Sequence, residues 1–397
     1  MFESICIGRR DFLGGLIDFG NLAEALVFYR EVHLLSDQES FKSLVRKCGS
    51  DVVLELCEMG SLRIHYAENA TAIGSRDISP AQKTFGLVTF KIQNQSFLND
   101  ATRFLAEYFG PSGKGFRRSL GRFTRAVRPF EHARSALDDV QSDLPNKEYV
   151  RASVRGVLSS LVPEYLQPDP LVFDIVLNKS TGEFGVETNI DFAAANDIYH
   201  RGVSSEESSL SEAFILAHIL GTRTSLDMAS GLSSDLSLGP VSSIIGTNKI
   251  ASLVNAHQES RSALEHFVEM TVSDCRAISH AVQSGERNFG DVLKLVHSSQ
   301  KFKDWLAKQD ADKNVYDEYC RAVSRVDWAD RLPAKSVRWL LFNAAGLALA
   351  AVTSPAAGAA VGVGLSAADT FLLDKLLKGW KPNQFVEGPL KEFIRVR

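Results

Sequence analysis

Between Gly110 and Pro129 the chain carries Lys114, Arg117, Arg118, Arg122, Arg125 and Arg128, and no acidic residue appears until Glu131. Guanidinium groups at this density match the oxygens of phosphates, so residues 114–128 are a candidate site for an anionic partner, either nucleic acid or anionic lipid. Phe116, Leu120, Phe123, Val127 and Phe130 recur there at intervals of 4, 3, 4 and 3. That spacing lays an apolar stripe along one side of a helix and turns most of the basic residues elsewhere. The plainer reading is a surface helix whose arginines pair with acids such as Asp138 and Asp139. At its head, Gly110-Pro-Ser-Gly113-Lys114-Gly115 does not meet the phosphate-loop pattern. Two residues separate its glycines, and Gly115 stands where a hydroxyl is needed.

Carboxylates further along could hold a metal. Two apolar, β-branched runs, 171–177 and 183–190, are joined by Asn178-Lys-Ser-Thr-Gly182 and read as a β-hairpin. Asp174 lies on the first and Glu187-Thr-Asn189 on the second. This arrangement resembles the PD-(D/E)xK nucleases, which set an Asp and an E-x-K on adjacent strands to hold a divalent metal and orient water. Asn189 stands where that family has Lys, and Asp169 competes with Asp174 for the first position. The resemblance implies a divergent metal-dependent nuclease; the plain alternative is a solvent-facing acid on a hairpin. His33, His65, Cys48 and Cys57 would approach one another if the strands that carry the histidines pair. Their spacings of 15, 9 and 8 match no zinc signature, and Cys in a helical apolar pattern belongs to a core. No metal ligand set, no catalytic residue and no cofactor is expected. GxSxG, HExxH and EF-hand patterns are missing from the sequence.

Near the C-terminal end, Trp339 to Ala368 runs 30 residues without a charge. Thr353-Ser-Pro355 should stop one helix and start another, because Pro is tolerated in a first helical turn and not in a helix interior. The expectation is a helical hairpin beginning near Trp339. Gly346 and Ala350 lie four apart on its first arm, Gly358 and Gly362 four apart on its second, with Gly364 two further on. Such spacing lets two helix backbones approach closely. Lys335 and Arg338 flank one end, Lys375, Lys378 and Lys381 the other. The first arm, 336–352, would span about 25 Å against a hydrocarbon thickness of about 30 Å, and Asp369 and Asp374 interrupt the continuation of the second. Three readings follow: a packed hairpin inside a soluble domain, a membrane-directed hairpin, and a self-associating surface. A lipid bilayer or a second copy is therefore the expected partner of residues 336–378.

The elements that must position these groups alternate at first. Short apolar runs at 31–35, 62–67 and 85–92 are separated by helical patterns that Gly49, Gly60 and Gly110 terminate, with Ser96 as a helix N-cap. Helices are expected over 116–143 and 147–161. Beyond Phe192 almost everything reads as helix, including a long pattern from Lys249 to about Ser284. The serine-dense stretch 203–243, interleaved with Leu226, Met228, Leu232, Leu236 and Leu238, reads as short Ser-capped helices.

The sequence therefore describes an α+β, predominantly α-helical protein in four parts. These are a small α/β domain at 1–110, a basic helix, connector and β-hairpin at 111–200, a helical domain at 201–332, and the Ala/Gly-rich hairpin with a tail at 333–397. Its 397 residues hold 44 Lys and Arg against 48 Asp and Glu, for a net charge of -4. Bulk charge thus selects no partner, and a chain this long needs no disulfide staples. Five cysteines without a CxxC pair, and charges that follow the first apolar residues, suit a reducing cytoplasm with no secretory signal. The functional expectation is a non-catalytic, effector-like cytoplasmic protein with a membrane-directed or self-associating hairpin and conditional membrane association. A soluble scaffold that binds a protein or nucleic acid is the alternative, and the nuclease comes third.

Overall fold

The computed structural model describes residues 3–8, 17–67, 69–79, 82–91, 96–111, 113–130, 140, 143–178, 181–202, 209–232, 234–256, 268–271, 277–307, 338–341 and 389–394. The chain opens with strand–helix alternation: β1 (Ser4–Ile7), α1 (Phe19–Phe28), β2 (Glu31–Ser36), α2 (Gln38–Cys48), α3 (Ser50–Glu58) and β3 (Leu62–Ala67). Asp18 and Asp37 start α1 and α2 by accepting from the backbone N–H of Asn21 and Ser40. Next come the antiparallel strands β4 (Asn69–Ser79) and β5 (Gln82–Lys91), then α4 (Phe97–Phe109), capped by Ser96 as expected. Gly110 ends α4 at φ +81, a backbone that glycine adopts without strain.

Then follow α5 (Lys114–Ala126), β6 (Val127–Phe130), α6 (Lys147–Leu161), β7 (Phe173–Leu177), β8 (Phe184–Thr188), α7 (Phe192–Tyr199) and α8 (Glu212–Gly231). The remaining described elements are β9 (Asp235–Ser237), α9 (Pro240–Ala256), β10 (Val268–Thr271), α10 (Ala277–Gln283), α11 (Phe289–Ala307), β11 (Arg338–Leu341) and α12 (Lys391–Ile394).

The larger sheet has the order β10-β11-β9-β1-β2-β3-β6. Its five strands from β9 to β6 are parallel, and β11 and β10 extend the β9 edge antiparallel. The chain steps outward from β1 through β2 and β3 to β6, then returns to the other side of β1 for β9. Such a reversal places the crossover helices of the two halves on opposite faces. On one face Ile5, Ile7, Val32, Leu34, Leu62 and Ile64 pack with α1 to α5, α10 and α11. On the other, Cys6, Leu35, Leu236 and Leu238 meet Leu226, Met228 and Ala229 of α8.

The smaller sheet, β4-β5-β8-β7, is antiparallel and shares a core with α6, α7, α8 and α9. Its β7–β8 pair is the expected hairpin, in the register Phe173↔Thr188 to Leu177↔Phe184. The molecule is thus mixed and predominantly helical, with one parallel and one antiparallel sheet.

Four local expectations need correction. The helix expected over 116–143 ends at Ala126, because Val127 and Arg128 pair with Ile64 and His65 as a sheet edge. Sheet pairing here overrides the helical spacing of Val127 and Phe130. The long pattern from Lys249 divides into α9, β10 and α10. Within the serine-dense stretch α8 runs 20 residues without a break, since Thr224 and Ser225 donate their hydroxyls back to the Gly221 carbonyl and spare the helix a competing turn. Arg338–Leu341, expected to enter a helical arm, is the strand β11, with Trp339 opposite Met270 and Ser237.

Candidate functional site

At about 100° per residue, Lys114, Arg117, Arg118, Arg122 and Arg125 fall within an arc of about 140° on α5. Gly121 lies in the middle of that arc, and a Cβ added to it would meet nothing within 4 Å. The opposite side holds Phe123, fully buried, with Phe116 and Leu120 packed against the same core. Lys114, Arg117, Arg118 and Arg125 are exposed. Arg122, at the margin of the arc, donates from Nε and Nη2 to the two carboxylate oxygens of Glu58, both at 2.8 Å, with Asp51 3.9 Å away. The Arg122 hydrogen bond holds the Glu58 carboxyl below its ordinary range, and the charges of Arg122, Arg125 and Arg118 add to it. Arg122 therefore positions α5 on α3, and the other four cations remain for a partner. Asp138 and Asp139, considered as their counter-charges, lie outside the described residues.

Asp174 and Glu187 are direct cross-strand partners on β7 and β8, so the topology does bring the two acids together. Their environments differ. Asp174 is only 7% exposed, not the solvent-facing acid the sequence suggests. Lys147 donates to its Oδ2 at 2.6 Å, and Arg151 donates from Nε to its Oδ1 at 2.8 Å. Those bonds, Lys147's foremost, hold its carboxyl below the usual range. Both oxygens are occupied in joining α6 to the hairpin edge, while Glu187 is exposed. Asn189 also has a structural part, accepting from Val172 N–H and donating to the Pro170 carbonyl.

The strands carrying His33 and His65 pair, and Nδ1 of His33 lies 3.0 Å from Nε2 of His65. Cys48 and Cys57 do not join them; both are buried in the apolar core, and burial pushes the Cys57 thiol up to about 12. Among the described residues no group of three or more His, Cys, Asp or Glu is placed to hold a metal ion. What the sequence reading missed is the charge around the histidines: Glu31 Oε1 lies 3.6 Å from His33 Nε2, and Arg63 Nε donates to that oxygen at 3.1 Å. A signal was available, because Glu31 and His33 alternate with Val32 and Leu34, and Arg63 and His65 with Leu62 and Ile64.

Gly346, Ala350, Gly358, Gly362 and Gly364 lie outside the described residues. Among the described residues no helix is long and apolar enough to cross a membrane. No protein-family model matches the chain, and no curated protein and no solved structure matches it either.

Proposed function

We propose that the protein is a non-catalytic, effector-like binding protein that docks on an anionic membrane surface through the basic face of α5, with residues 342–368, the part of the uncharged run beyond β11, as its membrane-directed segment. The observation that carries this reading is the exposure of Lys114, Arg117, Arg118 and Arg125 on one arc of a helix, in a chain whose net charge is -4. An evenly spread negative charge would repel such a surface; concentrating cations on one face reverses the sign where docking occurs. The apolar side of α5 is already buried, so this helix contributes attraction and no insertion. Each exposed cation near an anionic leaflet is worth about 1 kcal/mol and weakens within a Debye length of salt. The uncharged run beyond β11, 342–368, supports a bilayer over a nucleic acid as the docking surface, because a polyanion offers it nothing to bury against.

Sedimentation of the full chain with phosphatidylcholine vesicles, with and without phosphatidylserine, tests the reading. Binding should require phosphatidylserine, fall steeply with salt and disappear when Arg117, Arg118 and Arg125 become Ser. Binding to duplex DNA or RNA without vesicle binding would transfer the face to the scaffold alternative. Vesicle binding that ignores the three substitutions would remove α5 from the function.

A further inference from the structure

A parallel sheet covered on both sides normally carries near-continuous apolar strands. Here β2 and β3 are apolar toward Val32, Leu34, Leu62 and Ile64, and polar at Glu31, His33, Arg63 and His65 on the other face. β6 adds Arg128 to that polar face, because Val127 pairs with Ile64 and Arg128 with His65. On this face Leu226, Met228 and Ala229 of α8 pack in one cluster with Cys6, Leu35 and Leu236, and Ala67 and Phe130 at the ends of β3 and β6 lie against it, while His33 and His65 are themselves 8% and 6% exposed. Leaving histidines and arginines on a sheet face where leucines would pack is costly without a use.

The two imidazoles form a directional pair. Glu31 beside His33 Nε2 favours a proton on that nitrogen and leaves His33 Nδ1 as an acceptor. His65 Nε2–H then donates to it, and the lone pair of His65 Nδ1 has no partner among the described residues. The Phe130 ring lies nearly perpendicular to the His65 ring, with their centres 6.3 Å apart. Arg128 is exposed and has no ion-pair partner among the described residues.

We propose that the polar face of β2, β3 and β6 binds a small phosphate-bearing ligand, with Arg128 and His65 as the groups that meet the anion. A carboxylate is satisfied by one guanidinium; a phosphate has a third oxygen, and a second donor at a different angle suits it. His65 supplies that donor only as imidazolium, with Nε2–H to His33 and Nδ1–H to the phosphate, so binding a dianion takes up one proton from solvent. The charged groups facing the pair among the described residues are Glu31 on β2, Arg63 on β3 and Arg128 on β6. Burial first, then the neighbouring His33 and Arg128, hold His65 down at about 4 before binding, so the uncomplexed pair is neutral at pH 7 and an arriving anion shifts the balance toward the imidazolium. This site faces away from the helices that include α5, and does not depend on the membrane reading.

Inorganic phosphate is the probe. Titrated calorimetrically into the full chain at pH 8, where inorganic phosphate is mostly the dianion, in two buffers of different ionisation enthalpy, it should bind with net uptake of about one proton. Arg128→Gln should weaken it by about tenfold or more, and His65→Asn should abolish the proton uptake. Replacing Arg117, Arg118 and Arg125 with Ser should leave phosphate affinity unchanged. Arg128 is exposed, so its substitution leaves the fold intact. Should His65→Asn unfold the protein, the ¹⁵N shift of His65 Nδ1 in the unmodified chain decides the matter, since it must move from unprotonated to protonated on saturation. Absence of binding, binding indifferent to Arg128→Gln, or binding without proton uptake would each overturn the proposal.

Discussion

Lys303 illustrates how one side chain can oppose the fold that contains it. It sits on α11 at 1% exposure with no hydrogen-bond partner for Nζ, beside Phe302, whose ring packs edge-on against Phe28 of α1. Burial lowers its ammonium to about 7. An amine whose folded pKa lies below the unfolded value near 10.4 destabilises the native state as pH falls through that interval, and the cost levels off below pH 7. Lys303→Met fills similar volume without the charge, so it should stabilise the protein by about 1 to 4 kcal/mol at pH 7. By pH 10 most of that gain should vanish, because the folded amine is already neutral and the unfolded amine is then close to its own pKa of about 10.4, so little remains of the cost of losing the proton. Urea unfolding at the two pH values reads the difference, and an equal gain at both would show that packing rather than charge is responsible. Not every buried cation behaves this way. Lys249 is also buried, but it meets the Asp143 carboxylate and lies 5.7 Å from the centre of the Tyr149 ring, so its charge is answered.

At the scale of elements, close approach of backbones is visible where α6 crosses α9. A Cβ added to Gly156 would lie 2.5 Å from Cγ2 of Ile244, a distance no real contact tolerates. Gly156→Val should therefore force the two helices apart and cost about 1 to 3 kcal/mol; the companion change Ile244→Ala should recover part of that loss, and thermal melts of the single and double variants test it. The spacing of Gly346, Ala350, Gly358 and Gly362 predicts the same close approach outside the described residues; among the described residues it occurs at Gly156, a lone glycine inside an ordinary helical pattern. Local signals were otherwise readable where they were local. Ser96 and Gly110 bounded α4, the span 147–161 matched α6, and Gly182 marked the hairpin turn. Elements fixed by distant pairing were not readable. Val127 and Phe130 have helical spacing, yet they form a strand because β3 offers an unpaired edge 63 residues upstream. The candidate sites divide likewise: the basic arc of α5 follows from its own spacing, while the cluster of Glu31, His33, Arg63, His65 and Arg128 exists only once three strands are in register.

On the scale of the whole molecule, the last described element returns to the first core. Leu390 and Phe393 are buried in the cluster formed by α1 to α5, α10 and α11. Arg287, just beyond α10, fastens them: its Nε donates to the Phe393 carbonyl at 2.6 Å, its Nη2 to that of Glu392 at 2.8 Å, and its guanidinium lies 5.5 Å from the Phe393 ring centre. Residues 342–388 consequently lie in the sequence between β11, at the antiparallel end of the larger sheet, and α12, in the first core. A membrane-directed hairpin within them would be held to the folded body at both ends, which suits docking of the body by α5 in the same encounter. Phe393→Ala should cost about 3 kcal/mol, near the low end for a buried phenylalanine because a short terminal element can relax. Arg287→Ala removes two charge-assisted bonds to carbonyls and should cost about 1 to 3 kcal/mol. Since both changes release the same segment, the double variant should lose clearly less than the sum, and urea titrations of the four proteins measure the coupling. Strict additivity would mean that Arg287 stabilises its own turn rather than holding α12. Vesicle binding by Phe393→Ala should remain dependent on Arg117, Arg118 and Arg125, because that anchor is separate from the basic face.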